Sequence, residues 1–243
     1  MQDSYTASDF DIKAQGLSKS FAGFEALRGV DLDIGKGEFF TLFGPNGAGK
    51  TTFIRILATL AKPSSGSLTV SGFDAKKEPD NVRRITGVIS HDPFLYENLS
   101  AFENIKFFGT LYGIDDTDGR AEEVIKQVGL GMRMHDLVRN FSRGMKQRLA
   151  VARAIVHEPR ILLLDEPYTG LDQHGAKVFG EMLTLIKSQN RTILMTTHNI
   201  DEGLDRSDRV GILAGGRIVY ECSGIGINKD AFKEKYISSV ENC

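Results

Sequence analysis

A glycine-rich run that contains one lysine lies between a predicted strand and a predicted helix. Gly44, Gly47 and Gly49 can adopt positive φ angles, so successive backbone N–H groups can surround a phosphate. Lys50 would neutralise the β and γ oxygens of a triphosphate, and the Thr51 hydroxyl would take one position on Mg²⁺. The run therefore predicts a nucleoside triphosphate site, which consists of Gly44, Pro45, Asn46, Gly47, Ala48, Gly49, Lys50, Thr51 and Thr52.

Two adjacent acids, Asp165 and Glu166, end the apolar run Ile161 to Leu164. Ligand sites of open α/β sheets lie at the carboxyl ends of the strands. Adjacent residues on a strand point to opposite faces, so Asp165 can face the Mg²⁺ while Glu166 meets an attacking water as base or orienting group. The pair predicts hydrolysis of the bound nucleotide. Guanine specificity is not supported, because the stretch Asn228-Lys-Asp-Ala has its acid one position early for the NKxD pattern.

The elements before and after the glycine-rich run are short strands and a helix. Three β-like runs separated by glycines predict a meander that leads into a buried strand: Phe10 to Ala14, Gly29 to Ile34 and Glu38 to Phe43. A helix follows after Thr52, because four apolar residues recur with the spacing of one helical face: Phe53, Ile56, Leu57 and Leu60. Leu68 to Val70 is a further predicted strand.

The middle of the chain, about residues 98 to 157, has mostly helical patterns and predicts an inserted helical subdomain. Ser100 and Glu103 have the spacing of a capping box at its start. Beyond it, two apolar runs, Ile161 to Leu164 and Thr192 to Met195, flank a helical stretch around Val178 to Ile186. This βαβ order implies a parallel sheet, so the predicted fold class is α/β.

Composition excludes several classes of protein. The 243 residues are 41% hydrophobic and carry 30 Lys+Arg against 32 Asp+Glu, a net charge of -2, so no bulk basic field argues for nucleic acid or an anionic membrane. The apolar runs are far shorter than a membrane-spanning helix, and the N-terminus lacks the regions of a signal peptide, which predicts a cytosolic protein. Cys222 and Cys243 form no CxxC motif and predict small packing residues or tail thiols rather than a metal site.

The stretch Phe141-Ser-Arg-Gly-Met follows the helical segments of the middle region. With this stretch and the motifs above, the chain resembles the ATP-binding cassette ATPases over about residues 10 to 220. That family has a signature motif of the LSGGQ type in this position, of which Ser142 and Gly144 keep the commonest letters. Ser142 is also a suitable N-cap for the helix that follows, so its hydroxyl and the next N–H groups can meet a γ-phosphate. The resemblance implies a P-loop NTPase (RecA-like) core with an antiparallel β-subdomain and an inserted helical subdomain.

Other positions match the family pattern in order along the chain. Phe21 resembles the aromatic residue on which adenine stacks, its alternative being a core phenylalanine of the N-terminal sheet. Thr169-Gly-Leu-Asp172 resembles the D-loop that touches the partner subunit, and His198 resembles the switch histidine that hydrogen-bonds the γ-phosphate. His91 stands where the family usually has glutamine, so it is expected to act on the metal-bound water, as a catalytic and metal-site residue.

Two further segments have less specific interpretations. The basic residues Arg143, Lys146, Arg148 and Arg153 are interpreted as a solvated helix face rather than a nucleic-acid interface, since no aromatic residues interleave them. The tail, about residues 222 to 243, places Phe232, Tyr236 and Val240 on one helical face, which predicts an amphipathic helix packed on its own domain.

The resemblance implies how such a chain works. Residues 1–243 would form a single ATPase domain, and two copies would sandwich two ATP molecules with Mg²⁺ between the P-loop of one and the signature of the other. The dimer would sit at the cytoplasmic face of the membrane on separate transmembrane permease subunits. The motifs are similar to exporter ATPases, including the haem-exporter subunit of cytochrome c maturation. The alternative is a soluble mechanical ATPase for nucleic acid or ribosomes, relatives of which usually fuse two cassettes or insert a long coiled coil.

Overall fold

The computed structural model describes residues 9–187, 190–224 and 226–241. In the first half of the chain the elements are β1 (Phe10–Phe21), β2 (Phe24–Gly35), β3 (Phe39–Phe43), α1 (Lys50–Leu57), β4 (Ser65–Val70), β5 (Phe73–Asp74), α2 (Pro79–Ile85), β6 (Thr86–Ile89), α3 (Ala101–Leu111) and α4 (Thr117–Gln127). The second half contains α5 (Arg143–Ile155), β7 (Ile161–Asp165), α6 (Gln173–Lys187), β8 (Thr192–Thr197), α7 (Ile200–Leu204), β9 (Arg209–Ala214), β10 (Arg217–Ser223) and α8 (Lys229–Glu241). Two short 3₁₀ turns, Gly131–Arg133 and Val138–Asn140, lie between α4 and α5.

A six-stranded sheet with the order β10-β9-β3-β8-β7-β6 forms the centre of the fold. Its inner pairs are parallel, and every residue of β3 and β7 is buried, as expected for strands that are covered on both faces. Because the strands are parallel, the carboxyl ends of β3, β7 and β8 meet at one edge. The glycine-rich run, the acidic pair and His198 follow these three ends.

A second, four-stranded antiparallel sheet, β2-β1-β4-β5, packs with α1 in a shared hydrophobic core. The first strand is longer than the sequence predicts, running to Phe21 instead of ending near Ala14. A tight turn at Ala22 and Gly23, both with positive φ, then returns the chain into β2 at Phe24. The hairpin therefore ends with a phenylalanine on each side of its turn.

The helices α3, α4 and α5 pack together over the other face of the central sheet. Ser100 caps α3: its hydroxyl accepts a bond from the Glu103 N–H at 3.1 Å, and the Glu103 carboxylate accepts one from the Ser100 N–H at 2.8 Å. This is the capping box that the sequence predicts, and such a cap stabilises a helix by about 1 kcal/mol. Ser142 is the N-cap of α5, and its side chain accepts a hydrogen bond from the Met145 N–H.

Two sequence predictions about element ends are wrong. Leu60 does not extend the apolar face of α1, because the helix ends at Leu57, Thr59 turns with φ 58°, and Leu60 is 68% exposed. Residues 222 and 223 belong to β10 rather than to a helical tail, so the last helix begins at Lys229. Cys222 is a free, half-buried thiol on that strand, whereas Cys243 lies outside the described residues.

The last helix, α8, packs against the strands that carry the site. Phe232 is 2% exposed and lies in a cluster with Leu204, Val210 and Ile212, with its ring 5.1 Å from that of Phe43. Tyr236 also contacts this cluster. Among the described residues, no helix is both long enough and apolar enough to cross a membrane.

Substituting Phe232→Ala is expected to lower the free energy of unfolding by about 3 kcal/mol, because it leaves a cavity beneath Phe43. Chemical denaturation measures this change. Ile237→Ala on the same helix is the matched control, since Ile237 is 54% exposed and its truncation should have little effect. Equal stability of the two variants would show that α8 does not contribute to the core.

Candidate active site

The loop between β3 and α1 is held in a shape that only glycine permits. Gly49 has φ 108°, and a Cβ there would lie 2.4 Å from the Ala26 carbonyl oxygen. A Cβ on Gly44 would lie 2.3 Å from the carbonyl oxygen of Leu213. Backbone from β2 and from β9 therefore approaches the loop too closely for any side chain. This close packing fixes the loop at the N-terminus of α1, where backbone N–H groups favour an anion.

Lys50, the first residue of α1, is folded back over the loop. Its ammonium group donates to the carbonyl oxygens of Gly44 at 2.5 Å and of Pro45 at 3.1 Å. The same Nζ lies 3.1 Å from Oε1 of Glu166, and the lysine side chain is only 5% exposed. Oε1 itself is buried and accepts no hydrogen bond from any residue that the structure describes, so this contact is an ion pair alone. A phosphate oxygen that entered the loop would compete with Glu166 for this charge.

The other oxygen of Glu166 contacts His198. Oε2 lies 2.8 Å from Nδ1 of the imidazole, so the carboxylate is held between Lys50 and His198. The Glu166 backbone has φ 50°, a conformation that residues other than glycine seldom adopt, and its N–H donates to the Thr196 carbonyl at 3.0 Å. Strained backbone held by a neighbouring strand is often found at functional positions.

Asp165 is the last residue of β7 and is buried, with an exposed fraction of 3%. Its Oδ1 accepts a hydrogen bond from the Thr196 hydroxyl at 2.7 Å. Asp165 lines a cavity of about 320 Å³ together with Thr51 and His91, whereas Glu166 lines a separate cavity of about 300 Å³ beside the glycine-rich loop. The two acids line different cavities, as predicted, but the reason is different: β7 ends at Asp165, and the chain turns at Glu166 with φ 50°.

The residues around the first cavity fit a magnesium ion that also binds phosphate. The hydroxyl of Thr51 and the carboxylate of Asp165 are hard oxygen donors of the kind that Mg²⁺ takes. In the described ranges, no group of three or more His, Cys, Asp or Glu side chains could hold a metal by itself. A metal at this position would therefore need phosphate oxygens or water as its remaining ligands, and the exposed His91 could reach it through such a water.

Two phenylalanines stand at the mouth of the loop cavity. Phe21 and Phe24 line it together with Pro45 to Thr52, and they are 48% and 61% exposed. Phe21 is therefore not a core residue of the N-terminal sheet, and the ammonium of Lys19 lies 4.7 Å from its ring centroid. Either ring can offer a flat face to a base. The sequence analysis missed Phe24, although the pattern of two phenylalanines flanking an Ala-Gly turn could have indicated it.

Two groups next to the acidic pair were also missed, the half-buried Glu202 and the buried Tyr168. Burial raises the pKa of Glu202, four residues after His198. Burial raises the pKa of Tyr168 to about 12, and its buried hydroxyl has no hydrogen-bond partner among the described residues. The only sequence signal for these two groups is their spacing: Glu202 is four residues after His198, and Tyr168 is two residues after Glu166.

Ser142 and Gly144 lie away from the loop cavity. They line a different cavity of about 360 Å³, formed with Arg143 and with residues 170–172 of the segment that follows β7. The structure thus groups the glycine-rich loop, Phe21, Glu166 and His198 around one centre. It does not bring the signature residues to this centre within one chain.

Of the basic residues of α5 that were predicted to form a solvated face, Arg143 is exposed, whereas Lys146, Arg148 and Arg153 are half-buried. Lys146 forms an ion pair with Glu97, and Arg148 donates to the carbonyls of Val128 and Gly129. Burial lowers the pKa of Arg153, whose guanidinium donates to the Val88 carbonyl. These side chains tie α5 to neighbouring elements, which is why the charge pattern alone was misleading.

Comparisons with known proteins identify the family to which the chain belongs. A family model described as "ABC transporter" matches residues 27–169. The ABC transporter ATP-binding protein NatA of Bacillus subtilis (strain 168) is 40% identical over 199 residues, which are 81% of each chain. A fluoroquinolones export ATP-binding protein of Mycobacterium tuberculosis (strain CDC 1551 / Oshkosh) is 37% identical over 211 residues, 86% of this chain and 69% of that one.

Solved structures share the fold over nearly the whole chain. One is cbiO1 from Clostridium perfringens, part of the ABC transporter complex cbiONQ, with a TM-score of 0.83, 28% identity and coverage of 95% of this chain and 93% of that chain. Another is the dimeric ATP-binding cassette MJ0796 in a post-hydrolysis state with ADP and Pi, with a TM-score of 0.80, 26% identity and coverage of 89% and 100%.

Substituting Glu166→Gln is expected to lower ATP hydrolysis at least about 100-fold, because the amide keeps the side-chain volume but cannot accept a proton. ATP affinity should stay equal or rise, since phosphate would no longer have to displace a carboxylate from Lys50. Steady-state turnover and equilibrium binding of a fluorescent ATP analogue measure the two effects. Glu123→Gln, an exposed carboxylate on α4, is the control; hydrolysis by Glu166→Gln at the control's rate would place the base elsewhere.

Proposed function

This chain belongs to the ABC transporter family of ATP-binding proteins and is an ATPase, and we propose that two copies of it power a membrane exporter. The observation that carries the proposal is the separation of the two half-sites. The loop cavity has Lys50, Glu166 and His198, whereas Ser142 and Gly144 face a cavity of their own. A second copy related by a two-fold axis would bring each signature to the other's P-loop, so both sites would be completed by one interface.

In this proposal each residue has a defined part in hydrolysis. Thr51 and Asp165 would hold the Mg²⁺, which would neutralise charge on the phosphates. Lys50 moves from Glu166 to the incoming β and γ oxygens, so the carboxylate is released from its ion pair. Glu166 then accepts a proton from the attacking water as its oxygen bonds to the γ-phosphorus and ADP leaves, while His198 contacts both the carboxylate and the γ-phosphate. Phe21 stacks on the adenine, and His91 would orient a water beside the metal position.

The permease is proposed to dock beside the cavity that Asp165 and His91 line. Large exposed apolar side chains line it or lie beside it: Leu60 and Phe94, which are 68% and 60% exposed, line the cavity, and Phe107, which is 40% exposed, contacts the lining residue Phe108. Within it, Tyr112 stacks on His157 at 3.8 Å between ring centroids, and burial lowers the pKa of His157 to about 4, so the imidazole is neutral. Such a concentration of exposed apolar groups is typical of an interaction surface. A permease segment is the proposed occupant, because cbiO1 is part of a transporter complex.

Export, rather than import, is proposed from the motif pattern and from the export ATP-binding protein among the relatives. Haem remains one proposed cargo on the strength of the motif resemblance. Contacts that select the cargo would lie in the permease. The alternative, a mechanical ATPase on nucleic acid or ribosomes, gains no support from α5, since the basic side chains of that helix are engaged within the chain.

Mixing two inactive variants is expected to restore activity if the sites are shared between copies. A Lys50→Ala chain paired with a Ser142→Arg chain has one doubly damaged site and one intact site. Random mixing gives about half heterodimers, so ATPase activity should return to roughly a quarter of wild type while each variant alone stays near background. Heterodimers that form with ATP yet remain inactive would contradict independent shared sites.

Substituting Leu60→Arg is expected to release the protein from membranes of its native cells without loss of ATPase activity in solution, because a charge would be placed in the apolar contact. Flotation of the membranes on a density gradient, followed by immunoblotting, measures the bound fraction. Ile237→Arg provides the comparison, since Ile237 is a similarly exposed aliphatic residue on α8. Equal membrane binding of both variants would refute this docking surface.

A further inference from the structure

Two side chains of α5, one helical turn apart, bind the backbone that follows Glu166. The amide of Gln147 donates to the Pro167 carbonyl at 3.0 Å, and Nε of Arg143 donates to the Thr169 carbonyl at 3.0 Å. Residues at this spacing lie on the same face of a helix, so α5 holds two carbonyls that are themselves two residues apart. We call residues 167–170 the post-catalytic segment.

The guanidinium of Arg143 lies directly on the backbone of Gly170. A Cβ on Gly170 would lie 2.4 Å from Nε of Arg143 and 2.5 Å from Cζ, and Gly170 has φ 76°. The positive φ favours glycine at this position, and a Cβ would displace the exposed end of the Arg143 side chain from the contact. Arg143 replaces the residue commonest at this place in the signature motif, and the contact gives that replacement a physical role.

The post-catalytic segment is short and hydrogen-bonded to Glu166 itself. The Thr169 N–H donates to the Glu166 carbonyl at 3.2 Å, and the Leu171 N–H donates to the Tyr168 carbonyl at 3.0 Å. Thr169, whose carbonyl Arg143 binds, is thus joined by one hydrogen-bonded turn to Glu166. Glu166 is the residue that contacts Lys50 and His198. Movement of Thr169 would change the backbone angle of Glu166, which is already unusual at φ 50°.

We propose that Arg143, supported by Gln147, is a positioning residue that sets the orientation of the Glu166 carboxylate in its own chain. The inference rests on the proposed function in one respect, namely that the nucleotide at Ser142 belongs to the partner copy. Arg143 then serves the site of its own P-loop through Glu166, although its neighbour Ser142 faces the partner's nucleotide. The helix α5 in this way contributes to both nucleotide sites of the dimer: Ser142 at its N-terminus faces one site, and Arg143 positions Glu166 in the other.

The variant Arg143→Ala should lower kcat for ATP hydrolysis about tenfold, the effect of losing one hydrogen bond from a charged donor. KM for ATP should change less than about twofold, and thermal unfolding should be unchanged because the bond is exposed. Lys146→Ala is the matched control, since Lys146 is a basic residue of the same helix that pairs with Glu97 instead. A raised KM with unchanged kcat would show that Arg143 binds phosphate, and an unchanged kcat would show that it has no role; either result would overturn the proposal.

Combining Arg143→Ala with Gly170→Ala separates this contact from a general effect of charge. The double variant should be no slower than the slower single variant, because both substitutions break the same contact. Arg143→Lys should restore only part of the activity, since an ammonium group lacks the planar face that lies on Gly170. Additive losses, or full recovery with lysine, would contradict the proposal.

The mixed dimer decides in which chain Arg143 acts. In the mixture of Lys50→Ala and Ser142→Arg chains, the working site uses the P-loop and Glu166 of the Ser142→Arg chain. Adding Arg143→Ala to that chain should reduce the restored activity about tenfold, whereas adding it to the Lys50→Ala chain should leave the activity nearly unchanged. The reverse pattern, or equal losses, would overturn the proposal. If the starting mixture forms heterodimers but shows no restored activity, the proposal of independent sites shared between copies is wrong. The variant that combines Arg143→Ala with Gly170→Ala then still tests the role of Arg143.

Discussion

The ion pair between Lys50 and Glu166, 3.1 Å apart, is the interaction on which the rest of the site depends. It joins the glycine-rich loop after β3 to the acidic pair after β7, and His198 adds a third segment at 2.8 Å. The buried ammonium and the partly buried carboxylate compensate each other, which avoids an unpaired charge in a poorly solvated place. In the proposed function, phosphate takes the place of the carboxylate, so one charge links binding of the substrate to release of the proposed base.

The parallel sheet makes this interaction possible. The strands β3, β8 and β7 are neighbours, and their carboxyl ends open at the same edge, so three segments far apart in the chain converge. The backbone carbonyl groups of Ala26 and Leu213 pack closely against glycines of the loop and fix its position. The acids line two different cavities because β7 ends at Asp165 and the chain turns at Glu166, where φ is 50°.

The helix α5 has a second structural task besides carrying the signature residues. Its basic side chains bind carbonyls and carboxylates of the helical insertion and of the segment after Glu166. A cluster of arginines on one helix would ordinarily suggest an exposed basic surface. Here the charge is used inside the chain, because the last turns of neighbouring helices and the ends of strands leave carbonyl groups that require donors.

Local pattern is enough to predict four features of the chain: the glycine-rich loop, the acidic pair at the end of an apolar strand, the Ser100 capping box and the Ser142 cap. These follow from backbone angles, periodicity and short-range hydrogen bonds. Other features depend on contacts between distant segments, such as the position of Glu166 between Lys50 and His198. The pairing of Phe24 with Phe21, the exposure of Leu60 and the bond from Arg143 to Thr169 belong to the same group. Strand register, here Asp165 opposite Thr196, sets which distant residues meet, and no spacing along the chain records it.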